Sequence, residues 1–189
     1  MTKTPRPLVI STRVRDADDR CDVTSLTRLV QGDREALADL YDRHAASLFR
    51  HGFALTRNRW DAEDLVQSVF LKLATTGAPL LAVRNPPNYL HRILRAAWID
   101  GRRRPAARLE EPVHADVAAA GWGDMTEAAI DVTTAVARLP AVQREIVALH
   151  LVEGFSFWEA GRITGVSMFT AASRYRGALQ RLRQMMGRR

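Results

Sequence analysis

The chain has 189 residues, with 28 Lys and Arg against 21 Asp and Glu and a formal net charge of +7. A single cysteine, Cys21, excludes a disulfide framework and a cysteine-rich zinc site, and no apolar run is long enough to span a bilayer. Ordinary globular proportions, 47% apolar and 26% charged, and a basic N-terminus without the apolar core of a signal peptide lead to the expectation of a cytoplasmic protein with a polyanionic partner.

Residues 1–22 mix Pro5, Pro7, several charges and a short Leu8-Val9-Ile10 run without a sustained period, and read as an N-terminal arm, either flexible or holding one short packed segment. From Thr24 the pattern is helical: Leu26, Leu29 and Val30 share a face, and Gly32-Asp33 breaks the run. A longer helix carries Ala36, Leu37, Leu40, Tyr41, Leu48 and Leu55 on its apolar face and ends near Asn58. Asp61 opens the next, with Glu63 and Asp64 in the first turn, where acids suit the helix dipole, and Leu65, Val66, Val69, Phe70 and Leu73 as its stripe. Residues 75–87, with Gly77, Pro79, Pro86 and Pro87, read as a loop. Asn88 is expected to cap a helix with Leu90, Ile93, Leu94 and Ala97 inside, running into Arg102, Arg103 and Arg104 and stopping at Pro105.

Residues 105–125, rich in Ala, Pro and Gly, read as a linker. A second helical set begins near Thr126, with Ile130, Val132, Val136 and Leu139 leading to Pro140. Val142, Ile146, Val147 and Leu149 form the face of the following helix, which Gly154 ends. No alternating strand pattern appears. The expectation is an all-α protein: arm 1–22, helical domain 23–104, linker 105–125 and helical domain 126–189.

The last segment has the parts of a helix-turn-helix: a short helix capped by Ser156, the turn Gly165-Val166-Ser167, and a longer basic helix. From Met168 onward there are six Arg and no acid. Ala171, Tyr175, Ala178 and Leu182 step by four, three and four and define its core stripe. The opposite face carries Phe169, Ala172, Ser173, Arg176 and Gly177, whose small members let the backbone approach the major groove while Arg176 reaches a guanine edge or a phosphate. Ser167 caps the helix, and Thr170 and Arg174 flank the face as phosphate contacts.

Leu139-Pro140, Gln143-Arg144, Glu153-Gly154-Phe155-Ser156, Glu159, Gly165-Val166-Ser167, Ser173-Arg174-Tyr175-Arg176 and Ala178-Leu179 resemble region 4 of extracytoplasmic-function (ECF) sigma factors. Tyr41 with His44, the run Asp61-Ala62-Glu63-Asp64-Leu65-Val66-Gln67 and Val69-Phe70-Leu71 resemble region 2. Tyr89-Leu90, Arg92-Ile93, Arg95 and Ile99-Asp100 resemble its promoter-reading helix. The resemblance covers residues 24–104 and 127–185.

The resemblance implies a dissociable subunit of bacterial RNA polymerase that binds the core enzyme, selects a promoter and helps melt it. Asp61, Glu63, Asp64, Gln67 and Phe70 would dock on the clamp coiled coil of the largest polymerase subunit. Arg84, Asn85, Asn88, Arg92 and Arg95 would read the −10 element, with Arg102, Arg103 and Arg104 on phosphates. Ser167, Thr170, Ala172, Ser173, Arg174 and Arg176 would serve the −35 element. An anti-sigma factor is a further candidate partner. The chain departs from the family at Ala96, where Asn is usual, and in a loop offering Leu80, Leu81 and Val83 in place of an aromatic residue. Ala160-Gly161 replaces the usual Ile-Ala, from which looser packing of the first motif helix is expected, since an interior Gly costs about 1 kcal/mol.

No catalytic constellation is present: the five His lack metal-ligand spacing, there is no phosphate-cradling or dinucleotide loop, and neither metal nor cofactor is expected. Trp60, Trp122 and Trp158 are expected to pack rather than stack on bases, while Trp98, on the promoter-reading helix, is left open between the two roles. A stand-alone helix-turn-helix regulator would account for residues 127–185 alone, and a helical protein-interaction module is the other alternative.

Overall fold

The computed structural model describes residues 12–103 and 134–187, and every regular element among them is helical. Arg104, the linker at 105–125, Trp122 and the helix start expected near Thr126 lie outside the described residues.

The N-terminal half consists of α1 (Thr12–Val30), α2 (Glu35–Thr56), α3 (Arg59–Thr76) and α4 (Pro86–Arg103) around one leucine-rich core, in which Leu26, Leu40, Leu48, Leu73, Leu90 and Leu94 are nearly or fully buried. Helix α1 crosses the division expected at residues 22 and 23, because its inner face is held partly by charge. Asp22 is fully buried, accepting from Arg43 Nε at 2.8 Å and meeting His44 Nε2 at 2.7 Å, while Arg43 Nη2 donates to Ser25 Oγ at 2.8 Å. A buried aspartate inside a hydrogen-bonded set is tolerable where a lone one would not be.

Helix α3 begins at Arg59, ahead of the expected Asp61, because the Asn58 side chain accepts from the Trp60 and Asp61 amides. The expected 75–87 loop contains a 3-10 turn, Ala78–Ala82, that buries Leu80. Helix α4 starts at Pro86, a residue suited to a first turn that has no amide to satisfy, and the Asn85 side chain accepts the Asn88 amide at 2.9 Å. The cap is therefore Asn85, and Asn88 lies buried within the helix.

In the C-terminal half, helical residues 134–137 precede α5 (Ala141–Val147), which passes into a π-helical turn at Ala148–Val152; α6 (Phe157–Thr164) and α7 (Met168–Met186) follow. Val142, expected on the buried face of α5, is 46% exposed, and Arg144 and Glu145 are buried instead. Helix α6 starts with a capping box: Ser156 Oγ accepts the Glu159 amide, and the Glu159 carboxylate accepts the Ser156 amide at 2.8 Å. Gly165 ends α6 at φ +68°, and Ser167 Oγ takes the Thr170 amide at 3.1 Å to begin α7. The turn is tight enough to require Gly161. A Cβ there would sit 2.8 Å from the Val166 carbonyl oxygen, which corrects the expectation of looser packing.

Tyr175 packs on α6 and the π turn through Phe157 and His150, and the buried Ala171 and Ala178 let α7 lie close on its neighbours. Gly177, expected on the outward face, turns to α5, where a Cβ would meet Gln143 Nε2 at 3.1 Å.

Candidate nucleic-acid interface

On α7, Met168, Phe169, Thr170, Ser173 and Arg176 are exposed, while Ala172 and Arg174 are half-buried at the edge of the same face. Ser167 and Thr170 are joined, with their hydroxyl oxygens 2.9 Å apart, so both act first as the cap that fixes the start of the helix. No acid shares this helix, and among its described residues Arg174, Arg176, Arg181 and Arg183 provide the charge. The result is a capped helix standing out from a packed turn, with a small, hydroxyl-bearing and cationic surface suited to a major groove.

In the N-terminal half, Asp61, Asp64 and Gln67 are exposed on α3, and Glu63 is held by Arg59 Nε at 2.8 Å, one turn away. Beside them a cleft of about 420 Å³ between α2 and α3 is lined by Tyr41, Phe49, Arg50, Glu63, Val66 and Gln67. Phe70, expected on this docking surface, is only 7% exposed. It belongs to the core, with its ring 4.9 Å from that of Tyr41. It shapes the surface from beneath, and Tyr41, expected inside, is 49% exposed above it.

The residues expected to serve the −10 element, on α4 and just before it, divide into two groups. Arg84, Arg92, Arg102 and Arg103 are exposed, and the Arg102 guanidinium lies 5.2 Å from the centre of the half-buried Trp98 ring. Asn88 and Arg95 instead face the C-terminal half: Asn88 Nδ2 donates to the Glu159 carbonyl at 3.3 Å, and Arg95 Nε donates to Glu145 Oε1 at 2.8 Å. Trp60 and Trp158 do not pack as expected, being 73% and 56% exposed.

The contacts of Asn88 and Arg95 belong to a polar seam between the halves that sequence reasoning missed. Arg50 holds Glu153 with two parallel bonds of 2.7 and 2.9 Å, and Ser47 Oγ donates to the same carboxylate at 2.5 Å. Ser47 Oγ also lies 3.1 Å from His91 Nε2, and His91 Nδ1 lies 3.0 Å from His51 Nδ1. Because Ser47 gives its proton to Glu153, it accepts from His91 Nε2, which leaves His91 Nδ1 to accept from His51. His51 Nε2 then faces Glu145 Oε1 at 3.5 Å without making a hydrogen bond. Burial pushes His91 well below its ordinary pKa, and the nearby His51, His44 and Arg50 add to the effect. Arg144 crosses the seam, donating to the carbonyls of Ala54, Ala137 and Leu139. Burial, with repulsion from Arg57, lowers its pKa to about 10, which leaves it charged at neutral pH. The sequence signal for this seam was weak: polar residues interrupting otherwise apolar helix faces.

A capped helix-turn-helix with a cationic outer face, and a second helical half that carries an exposed basic helix and exposed carboxylates on α3, have the make-up of a two-part DNA-binding protein. Among the described residues no helix is long and apolar enough to cross a membrane. Known proteins share this organisation. The sigma-70 region 2 family model matches residues 40–108, and the sigma-70 region 4 model matches residues 129–182. The ECF RNA polymerase sigma factor SigM of Mycobacterium tuberculosis (strain ATCC 25618 / H37Rv) is 31% identical over 169 residues, covering 89% of this chain and 86% of SigM. The RNA polymerase sigma factor CarQ of Myxococcus xanthus is 28% identical, covering 86% of this chain and 95% of CarQ. Among solved structures, RpoE of Bartonella quintana in complex with the anti-sigma factor NepR superposes with a TM-score of 0.61 at 25% identity, over 79% of this chain and 97% of RpoE. CnrH in complex with the cytosolic domain of CnrY shares the fold, with a TM-score of 0.64 at 22% identity, over 88% of this chain and 97% of that one. The chain belongs to the extracytoplasmic-function sigma factors, dissociable subunits of RNA polymerase that direct transcription initiation at promoters.

Proposed function

We propose that the labour of initiation is divided between the two halves of this chain. The exposed carboxylates of α3, with the cleft beside them, bind the core polymerase through its clamp coiled coil. Helix α4, with Arg84 before it, engages the −10 element and helps to melt it. Helix α7 reads the −35 element, with Ser173 and Arg176 as the principal base-reading residues and Arg174 on a phosphate. Recognition split between two tethered modules raises affinity through effective concentration only when both sites are correctly spaced, so specificity resides in the pair. The chain performs no chemistry of its own, because nucleotide addition belongs to the polymerase. Its place of action is the cytoplasm. An anti-sigma factor fits as a regulatory partner, since RpoE and CnrH are each bound to another protein in their solved structures.

The observation that carries this reading is the capped recognition helix, with Ser173 and Arg176 exposed on one face and no acid along its length. The test is transcription by the reconstituted holoenzyme from promoters with intact and scrambled −35 elements. Ser173→Ala with Arg176→Ala should cost about 1–3 kcal/mol for each well-formed pairing with a base edge that the change abolishes, and should remove the difference between the two promoters. An undiminished −35 dependence in the double variant would contradict the assignment.

A further inference from the structure

Among the large apolar side chains exposed on the described surface, Phe169 stands out at 77%. It lies one helical turn before Ser173, and Arg176 follows three residues later, so the three side chains form one outward line along α7. No packing role explains an aromatic ring there: Ala171 and Ala178 are buried on the other side, and Tyr175 fills the core against His150 and Phe157. Its backbone is fixed by the Ser167 cap, two residues before it, so the ring is presented from a rigid position. In a major groove the one apolar group on a base edge is the thymine 5-methyl, which phenylalanine contacts well. The geometry points to Phe169 as a specificity residue that selects thymine in the −35 element by covering its methyl group, next to the bases read by Ser173 and Arg176.

This inference rests on the −35 reading of α7, and the experiment separates the two. Holoenzyme made with the full chain is assayed on a promoter it transcribes, with each −35 thymine replaced in turn by deoxyuridine, which removes only the methyl. The wild type should lose about fourfold in affinity at one or two positions, the worth of one buried methyl-sized group. Phe169→Ala should still initiate and be indifferent to the replacement, and Phe169→Leu should retain part of the sensitivity. Equal sensitivity in wild type and Phe169→Ala, or no sensitive thymine, overturns the inference while initiation itself continues. Absence of −35 dependence in the wild type overturns both readings.

A second observation, independent of α7, is that the seam uses residues of the promoter-melting helix. Glu145 and Glu153, 2% and 5% exposed at their side chains, hold Arg95 and Arg50, and the backbone of α6 holds Asn88. A carboxylate paired with a guanidinium occupies the place a DNA phosphate or base edge would take. We infer that these contacts form an autoinhibitory latch: in the free chain the C-terminal half masks Asn88 and Arg95, and the −10 surface becomes available only when the halves part. This rests on the −10 reading of α4.

The test compares the free full chain with the Glu145→Gln, Glu153→Gln double variant. X-ray scattering reports separation of the halves, and fluorescence anisotropy follows binding to a forked −10 DNA from a promoter the wild type transcribes. The variant should be more extended and bind about tenfold more tightly, as expected if about nine in ten free molecules are latched. A charge swap guards against simple misfolding: Glu153→Arg should open the chain, and adding Arg50→Glu should close it again. Scattering dimensions unchanged by either variant, or an opened chain with unchanged DNA affinity, would overturn the latch. Normal initiation by holoenzyme made with the Glu145→Gln, Glu153→Gln variant would show that the sigma reading survives that result.

Discussion

Substituting alanine at Gly161 and at Gly177 sets two opposing effects against each other in the same domain. Each change removes an interior helical glycine, which alone should stabilise by about 1 kcal/mol. At Gly161 the new Cβ would lie 2.8 Å from the Val166 carbonyl oxygen, 3.3 Å from the Met168 nitrogen and 3.3 Å from the Ser167 carbonyl carbon. All three are main-chain atoms of the turn, which is further fixed by the Val166 amide bonded to the Gly161 carbonyl at 2.9 Å. Overpacking of this kind costs about 1–3 kcal/mol, and an immobile neighbour places it toward the upper end. The net expectation for Gly161→Ala is therefore a loss of about 1–2 kcal/mol. At Gly177 the Cβ meets only Gln143 Nε2 at 3.1 Å, the far end of a flexible side chain that can swing away. There the propensity gain should win, and Gly177→Ala should be neutral or up to about 1 kcal/mol more stable. Urea unfolding of the full chain, followed by circular dichroism, measures both. A Gly161→Ala variant as stable as wild type, or two variants shifted alike, would refute the close-approach argument.

Neutralising Glu63 and Asp64 together, as Gln and Asn, should weaken binding to core polymerase several-fold in a pull-down or competition assay while leaving binding to a −35 duplex unchanged, because both lie on α3. Arg144→Met should cost about 2–4 kcal/mol in urea unfolding, since the carbonyls of Ala54, Ala137 and Leu139 lose their charged donor. Acidification should loosen the seam. His91 is neutral in the docked state with a pKa held well below its ordinary 6.5, so its contribution is fully present above about pH 6.5 and is lost as the pH falls toward the lowered value. It is faced by His44, Ser47, Arg50 and His51 from α2 and by Glu153 and Glu159 from the C-terminal half. X-ray scattering of the free chain at about pH 7.5 and about pH 5.5, on either side of the ordinary histidine pKa, should show expansion on acidification, and contraction would contradict the assignment.

The helix-turn-helix was legible because its determinants are local. Ser156, Gly165 and Ser167 act within a few residues of their own positions, and the four-three-four spacing on α7 separates a core stripe from an outward face without knowledge of its neighbours. The acidic face of α3 was legible for the same reason, whereas the burial of Phe70 was not. A residue adjacent to a surface motif is assigned to core or surface only by what packs over it, here Tyr41 and α2. The early start of α1 was hidden because its inner face includes Asp22, whose partners Arg43 and His44 lie on another helix. The seam was hidden more completely. His51, His91 and Arg144-Glu145 are polar positions far apart in the sequence, and only their spatial meeting makes them one polar set. The Gly161 expectation failed in an instructive way: helix propensity was the only cost visible in the sequence, while the carbonyl that requires glycine belongs to the turn folded back over it.

Run-off transcription with core RNA polymerase and a promoter library tests the central claim most directly. With the full chain added, transcripts should start at defined sites preceded by paired −35 and −10 elements of fixed spacing, and without it they should not. A folded, helical chain that leaves the core enzyme without specific initiation, or that protects a palindromic DNA site without polymerase, would contradict the account.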